Sequence, residues 1–127
     1  MTSSLWMLED RRTRRSVDCG EALRYQLEYT KEKGGLEAVV LSDEAGLVVA
    51  GAGENGVCEE LGAYAPLLCR SPMGMRLPPL LRGGEVAVRS MALHGSGFFI
   101  SCLGGGVARD ALLSHSTRGV ERILTRN

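Results

Sequence analysis

The clearest pattern of apolar and polar positions lies in residues 36–53. Two runs rich in Val and Leu, residues 36–42 and 47–50, flank the connector D-E-A-G. Runs of this kind are typical of strands. Asp43 at the start of the connector and Gly46 at its end are typical of a tight turn that needs Gly at positive φ. The pattern predicts an antiparallel hairpin, and its continuous apolar character indicates central strands that helices cover on both faces.

A first helix is predicted from the residues at its two ends. Asp18 and Glu21 have the spacing of a capping box, in which an N-cap side chain and an acid three residues later bond the first backbone amides. Gly34 and Gly35 supply a residue that can enter the left-handed region and end the helix. Apolar positions between these ends recur every three or four residues, so one side of the helix should be buried.

Residues 1–17 form a polar and basic arm ahead of a domain predicted at residues 18–127. Because residues 7–16 contain no helix breaker, the first helix could equally begin inside the arm. A solvated helix face is the simpler interpretation of its basic run, and binding of an acidic partner is the other. The arginines of this run are Arg11, Arg12, Arg14 and Arg15.

A second helix, predicted at residues 57–70, has two apolar stripes at helical spacing. The stripe of large side chains is Val57, Leu61, Tyr64 and Leu68. The stripe of small side chains is Cys58, Gly62, Ala65 and Cys69. We expect the large stripe to cover the sheet and the small stripe to let a partner helix approach, which predicts a dimer interface. Glu59 and Glu60 are charged positions on the same helix that a partner protein could contact.

Three more strands and a final helix complete the pattern. The strands are predicted at residues 75–81, 85–93 and 98–103, and the helix at residues 107–125. Glycines in the connectors are typical of hairpins. Pro78 and Pro79 cannot donate to a strand ladder, so the first of these strands must lie at an edge. The predicted order is helix, two strands, helix, three strands, helix.

Residues 51–56, G-A-G-E-N-G, have the spacing of a dinucleotide-binding loop between a strand and a helix. The preceding strand pairs through a tight turn and is antiparallel, whereas that loop requires a parallel βαβ unit. Glu54 would also place a negative charge where the pyrophosphate binds. We therefore interpret these residues as a flexible glycine loop and predict no bound cofactor.

Composition and charge exclude several classes of partner. Fifteen basic residues balance fifteen acidic ones, so no long-range field favours nucleic acid or an anionic membrane. No apolar run approaches the roughly 18 residues of a membrane span, and the N-terminus lacks the order of a signal peptide. The cysteines have neither metal-site nor redox spacing, which indicates buried thiols in a reducing cytoplasm. They are Cys19, Cys58, Cys69 and Cys102.

The residues that could carry catalysis are few. His94 and His115 are the only histidines. Ser114 and Ser116 flank His115 but cannot form a triad with it, because adjacent helical residues point about 100° apart. No carboxylate pair has a spacing that predicts acid–base chemistry. We predict no catalytic residue and no metal site, and hence a protein that is not an enzyme.

The element order and residues 36–51, L-E-A-V-V-L-S-D-E-A-G-L-V-V-A-G, resemble the Roadblock / dynein light chain family, in particular its bacterial MglB-type members. The small-residue second helix resembles the family as well, and so does the direct passage from the last strand into the C-terminal helix. The resemblance extends over about residues 7–126. It rests on patterns of residue type.

The resemblance implies an α/β (α+β) fold with a single three-layer domain. A five-stranded antiparallel sheet would carry the middle helix on one face and the two terminal helices on the other, as in profilin. Family members are not enzymes; they form homo- or heterodimers through the middle helix and the edge strand after it. Pro78 and Pro79 occupy that pairing strand in this chain, so helix contact is the expected link between the two copies.

Family members engage small Ras-like GTPases as regulators or scaffolds, and the MglB-type members act by reshaping the active site of the GTPase. The resemblance thus implies a cytoplasmic dimerising module for such a GTPase, without nucleic-acid binding or membrane insertion. The face of the first and last helices, with the arginine run and Arg109, Arg118 and Arg122, is expected to dock the partner. The alternative is a small-ligand-binding sensor domain of profilin- or PAS-like layout.

Overall fold

The computed structural model describes residues 3–70, 81, 85–104 and 109–125, with side chains from residue 19 onward except those of residues 109–111. This part of the chain forms three helices and four strands, with two strands between each helix and the next. Their bounds are α1 (Ser3–Gly34), β1 (Ala38–Asp43), β2 (Val48–Ala52), α2 (Asn55–Arg70), β3 (Val86–Leu93), β4 (Ser96–Leu103) and α3 (Arg109–Leu124).

The strands form one antiparallel sheet in the order β2-β1-β4-β3. Over the described residues the sheet therefore has four strands, where five were expected. The predicted strand at residues 75–81 lies outside the described residues except for Leu81, which is fully buried. The prolines at positions 78 and 79 fall in the same undescribed stretch.

The predicted hairpin is present, and Asp43 organises its turn. The Asp43 carboxylate accepts hydrogen bonds from the backbone N–H groups of Ala45 (2.9 Å) and Leu47 (3.0 Å). The Gly46 N–H donates to the Asp43 carbonyl at 3.0 Å, and Gly46 has a φ of 84°. Only glycine adopts this conformation at little cost. The sequence pattern had predicted this tight turn from Asp43 at its start and from Gly46 at positive φ near its end.

The interpretation of both hairpin strands as central is right for β1 and wrong for β2. Five of the six residues of β1 are fully covered, because it lies between β2 and β4. Strand β2 lies at an edge of the described sheet, and only Ala52 at its end is buried. A continuous apolar run does not by itself distinguish a central strand from an edge strand.

Helices cover the two faces of the sheet as expected, with α2 on one face and α1 and α3 on the other. Alternate residues of β1 supply the two cores because strand side chains point to opposite faces. The α1/α3 core consists of Leu23, Leu27, Leu36, Val39, Leu41, Ala52, Met91, Ile100, Cys102, Leu113 and Val120. The α2 core consists of Ala38, Val40, Val57, Cys58, Leu61, Leu81 and Leu103.

Helix α1 begins at Ser3, so the predicted start at Asp18 is wrong and the longer helix is the one observed. It runs antiparallel to α3, since Gln26 lies against Gly119 and a Cβ placed on Gly34 would be 2.9 Å from Leu112 Cδ1. At 3.6 residues per turn, α1 continues for about five turns beyond the last residue of α3. The division between arm and domain at residue 17 stays a prediction.

Candidate functional site

The stripe of small residues on α2 faces the protein's own sheet. Cys58, Gly62 and Ala65 are buried. A Cβ placed on Gly62 would lie 2.9 Å from Val48 Cγ2, and one placed on Gly51 would lie 3.2 Å from Cys58 Sγ. The two stripes are adjacent on the helix, and the sheet covers much of both. The small residues thus bring α2 close to β1 and β2.

This arrangement corrects the predicted dimer interface. Of its four residues, only Cys69 is exposed in the folded chain. A partner helix could not reach Cys58, Gly62 or Ala65 without displacing the sheet. The small-residue pattern did indicate a close approach, but the approaching element is a strand of the same chain.

The outer face of α2 consists of other residues. Exposed positions recur along it at intervals of three and four residues: Glu59, Ala63, Leu67 and Arg70. Leu67 is 45% exposed and is the largest apolar side chain on this face. Glu60, the other acidic residue predicted to contact a partner, is half-buried beside this face.

The face formed by α1 and α3 carries exposed aromatic and basic side chains. Tyr25 and Tyr29 are exposed on α1, and the Tyr29 ring centroid is 6.0 Å from that of His115 on α3. Arg118 and Arg122 are exposed on α3. Tyrosine and arginine are enriched at protein–protein interfaces because they combine apolar area with hydrogen bonding or charge. The sequence analysis named the two arginines as part of a docking face, which stays a prediction, and did not single out the tyrosines as surface residues.

The arginine run of residues 11–15 lies on the part of α1 that extends beyond α3. The side chains of that run, and that of Arg109, lie outside the described set. On the flank of α1 that faces away from α3, Arg24 makes an exposed ion pair with Glu28 at 3.9 Å.

An exposed apolar edge was not predicted. Leu47, Val48 and Val49 are 67%, 38% and 45% exposed at the start of β2. Residues 45–53 contain neither charge nor proline, the two features that most often protect a free strand edge. The same absence occurs in the sequence of a covered strand, and the continuous apolar run therefore predicted a strand covered on both faces.

The glycines of residues 51–56 are explained by packing. A Cβ placed on Gly53 would lie 2.7 Å from the Glu37 carbonyl oxygen, and Gly53 has a φ of 126°. Gly51 lies against Cys58. The strand before the loop is antiparallel to β1, so the parallel unit that a dinucleotide-binding loop requires is not formed here.

The described residues bring together no three His, Cys, Asp or Glu side chains that could hold a metal ion. The four cysteines, all within the described residues, form no disulfide; Cys58 and Cys102 are buried as predicted, whereas Cys69 is exposed. Burial raises the pKa of the Cys58 thiol, and the charge of Lys31 opposes this shift. No helix in the described part of the chain is both long enough and apolar enough to cross a membrane.

Comparison with known proteins finds structures of similar fold. No protein-family model matches the sequence, and no curated protein matches it. Among solved structures, Myxococcus xanthus MglB has a similar fold, with a TM-score of 0.53 and 9% sequence identity. The match covers 82% of this chain and 88% of that one. The resemblance to the Roadblock family, indicated first by residue pattern, is therefore confirmed at the level of the fold.

Proposed function

We propose that this protein is a non-enzymatic, dimerising regulatory or scaffold module for a small Ras-like GTPase in the cytoplasm. The observation that carries the proposal is the fold shared with MglB over most of both chains. Because fold alone does not specify function, the proposal also draws on the surfaces of this chain. Two of its helical faces expose residues typical of protein contacts, one on α2 and one on α1 and α3.

Dimerisation would use the outer face of α2. Ala63 and Leu67 are its exposed apolar residues, while Glu59 and Arg70 lie near its two ends. In an antiparallel pair of α2 helices, Glu59 of one copy comes towards Arg70 of the other, which is a favourable pairing. The second copy is this chain or another roadblock-like chain.

The GTPase, or an acidic scaffold segment, would dock on the α1/α3 face. Arg118 and Arg122 provide positive charge, and Tyr25 and Tyr29 provide apolar area beside it. The arginine run of residues 11–15 would extend the positive surface along the projecting part of α1. Glu59 and Glu60 would be contacted instead if the GTPase binds across the α2 face.

Capture of the tagged chain from its native source, followed by mass spectrometry, tests the proposal. A small GTPase recovered in a stoichiometric amount supports it. Single-turnover GTP hydrolysis by that GTPase, with and without this chain, then distinguishes activation from tethering. Recovery of a retained small molecule without a GTPase would favour the sensor-domain alternative.

A further inference from the structure

Among the described residues, β2 is an edge strand that has no neighbour on the side away from β1. In an edge strand, half of the backbone N–H and C=O groups point away from the neighbouring strand and can pair with another chain. Leu47, Val48 and Val49 stand exposed beside these groups, whereas Ala52 at the far end of β2 is buried. The stretch with backbone groups open to another chain is therefore residues 48–51, since the N–H and C=O of Leu47 are bonded to Asp43.

A β-bulge lies within this stretch. Leu41 pairs with Ala50 and Ser42 pairs with Val48, so Val49 has no partner residue on β1. Bulges twist an edge strand and are one of the features, alongside charges and prolines, that discourage edge pairing. Here the bulged residue is an exposed valine, which adds apolar surface to the edge.

The chain segment that contains this edge has charged residues of one sign, although Lys31 of α1 lies near Cys58 behind the strand. Residues 34–69, which contain β1, β2 and all of α2 except its last residue, Arg70, have six acidic residues and no Lys, Arg or His. Since the whole chain has a formal net charge of zero, this segment is strongly negative and the remainder is equally positive. The six are Glu37, Asp43, Glu44, Glu54, Glu59 and Glu60.

Acidic residues flank the open edge in space as well as in sequence. Glu54 is exposed two residues after β2 ends. A Cβ placed on Gly46, at the hairpin turn, would lie 3.1 Å from Ala63 Cα, so Ala63 is on the flank of α2 nearest to β2. Glu59 is one helical turn before Ala63 on the same flank and is exposed.

We propose that the β2 edge binds an extended segment of a partner protein by strand addition, and that this segment has apolar residues flanked by Lys or Arg. The backbone groups of residues 48–51 that point away from β1 would pair with the segment, Leu47 and Val49 would contact its apolar side chains, and Glu54 and Glu59 would attract its basic flanks. This mode of recognition takes affinity from the main chain and specificity from the side chains around it. The surface is separate from the α1/α3 face and does not depend on the proposed GTPase.

A second copy of this chain fits the edge less well. Antiparallel pairing of two β2 strands about Val49 would bring Glu44 of one copy level with Glu54 of the other, and like charges directly opposite each other are destabilising. The same pairing would bring together two segments that are both strongly negative. Charge therefore selects a basic partner segment.

The test is an NMR titration of the full chain, labelled with nitrogen-15, with the peptide K-K-V-T-V-T-V-K-K up to about 1 mM, a range that detects weak binding. We expect saturable shifts centred on residues 44–54 that weaken as salt is added. The same peptide N-methylated throughout its core keeps every side chain but cannot donate backbone hydrogen bonds. It should bind at least about tenfold more weakly.

Two kinds of substitution check the location. Val49→Lys places a basic residue on the edge, as protected edges do, and should weaken peptide binding about tenfold. Ala92→Lys, at an exposed position of β3, is the matched control and should leave binding unchanged. Glu54→Gln with Glu59→Gln should remove most of the salt dependence even if Val49→Lys fails to fold.

Several results would overturn the proposal. They are the absence of any saturable shift, equal binding by the N-methylated peptide, and shifts centred away from β2. Self-association of the wild type that Val49→Lys abolishes would show that a second copy occupies the edge instead.

Discussion

Gly62 of α2 lies directly against Val48 of β2, so closely that a Cβ atom placed on Gly62 would come within 2.9 Å of Val48 Cγ2. The contact explains why the helix tolerates a residue of low helix propensity at a buried position. The contact also sets the distance between α2 and the sheet. On the neighbouring strand β1, Ser42 Cβ would be only 3.4 Å from the same added atom.

Gly62→Ala should therefore destabilise the protein although alanine favours the helix. Alanine gains about 1 kcal/mol of helix propensity, but overpacking of a tight contact costs about 1–3 kcal/mol. We expect a net loss of about 1 kcal/mol in the free energy of unfolding, measured by urea denaturation. In a Val48→Ala background the obstructing methyl is absent, so the same substitution should become stabilising. A Gly62→Ala variant more stable than the wild type would contradict the packing argument.

Leu67→Arg should convert a dimer into a folded monomer, because it places a bulky charge in the middle of the exposed α2 face. Leu47→Arg is the matched control, since it makes the same change at an exposed position on the hairpin. Light scattering gives the mass of each variant. If Leu67→Arg leaves a dimer intact, or if the wild type is monomeric at high concentration, the outer face of α2 is not the dimer interface. Gly62→Arg cannot serve this purpose, because it would disrupt the packing of α2 on the sheet.

Charge reversal at Arg118 and Arg122 should slow partner association several-fold at low salt and leave the dissociation rate nearly unchanged. Exposed charges act mainly on the association rate, and their influence fades as the Debye length falls from about 10 Å at 0.1 M salt to about 3 Å at 1 M. Charge reversal at Arg12 and Arg15 should also slow the association of the partner at low salt. Stopped-flow or surface-based kinetics with the captured GTPase measure both rates.

Arg24→Glu is the control for net charge in that experiment. It is on the flank of α1 away from α3 and changes the formal charge as much as either substitution on α3. Equal slowing by Arg24→Glu would mean that net charge, and not a docking face, sets the rate. Loss of binding in Glu59→Lys or Glu60→Lys, with no effect of the arginine variants, would place the partner on α2.

Cys58 should make stability depend on pH in the alkaline range. Burial raises the pKa of this thiol above its ordinary value of 9.0, so the folded state holds the proton more tightly than the unfolded state does. The resulting stabilisation is fully present below the ordinary pKa and is lost as the pH rises through the raised pKa. Urea denaturation at several pH values should show a shallower decline for Cys58→Ala than for the wild type. Cys69→Ala, at an exposed thiol, should follow the wild type; identical slopes for all three proteins would exclude the effect.

Most of the fold could be predicted because its determinants are local. The turn of Asp43 and Gly46 is specified by side-chain hydrogen bonding and positive φ, both of which residue type reveals. Helix periodicity likewise identified α2 and the buried side of α1. The start of α1 was misplaced because Asp18 and Glu21 have capping spacing in the interior of a helix, where the preceding residues simply continue the helix.

The surfaces were harder to predict because they depend on which elements meet. Gly62 belongs to a pattern that allows close approach, but the pattern is the same whether the neighbour is a strand of this chain or a helix of another. Val48 and Val49 form an apolar run in either a central or an edge strand, and only the order of strands decides their exposure. Tyr25 and Tyr29 became notable only when α3 placed His115 and Arg122 beside them.

The uneven distribution of charge between residues 34–69 and the rest of the chain has a consequence for the behaviour of the protein in solution. A molecule without net charge near neutral pH should barely migrate in an electric field, but the separation of charge along this chain predicts a permanent dipole moment. Dipolar molecules attract one another in dilute buffer, and added salt suppresses that attraction. The osmotic second virial coefficient should therefore become less negative as salt is added, and the protein should be retained by both cation- and anion-exchange resins at a pH where its net charge is zero.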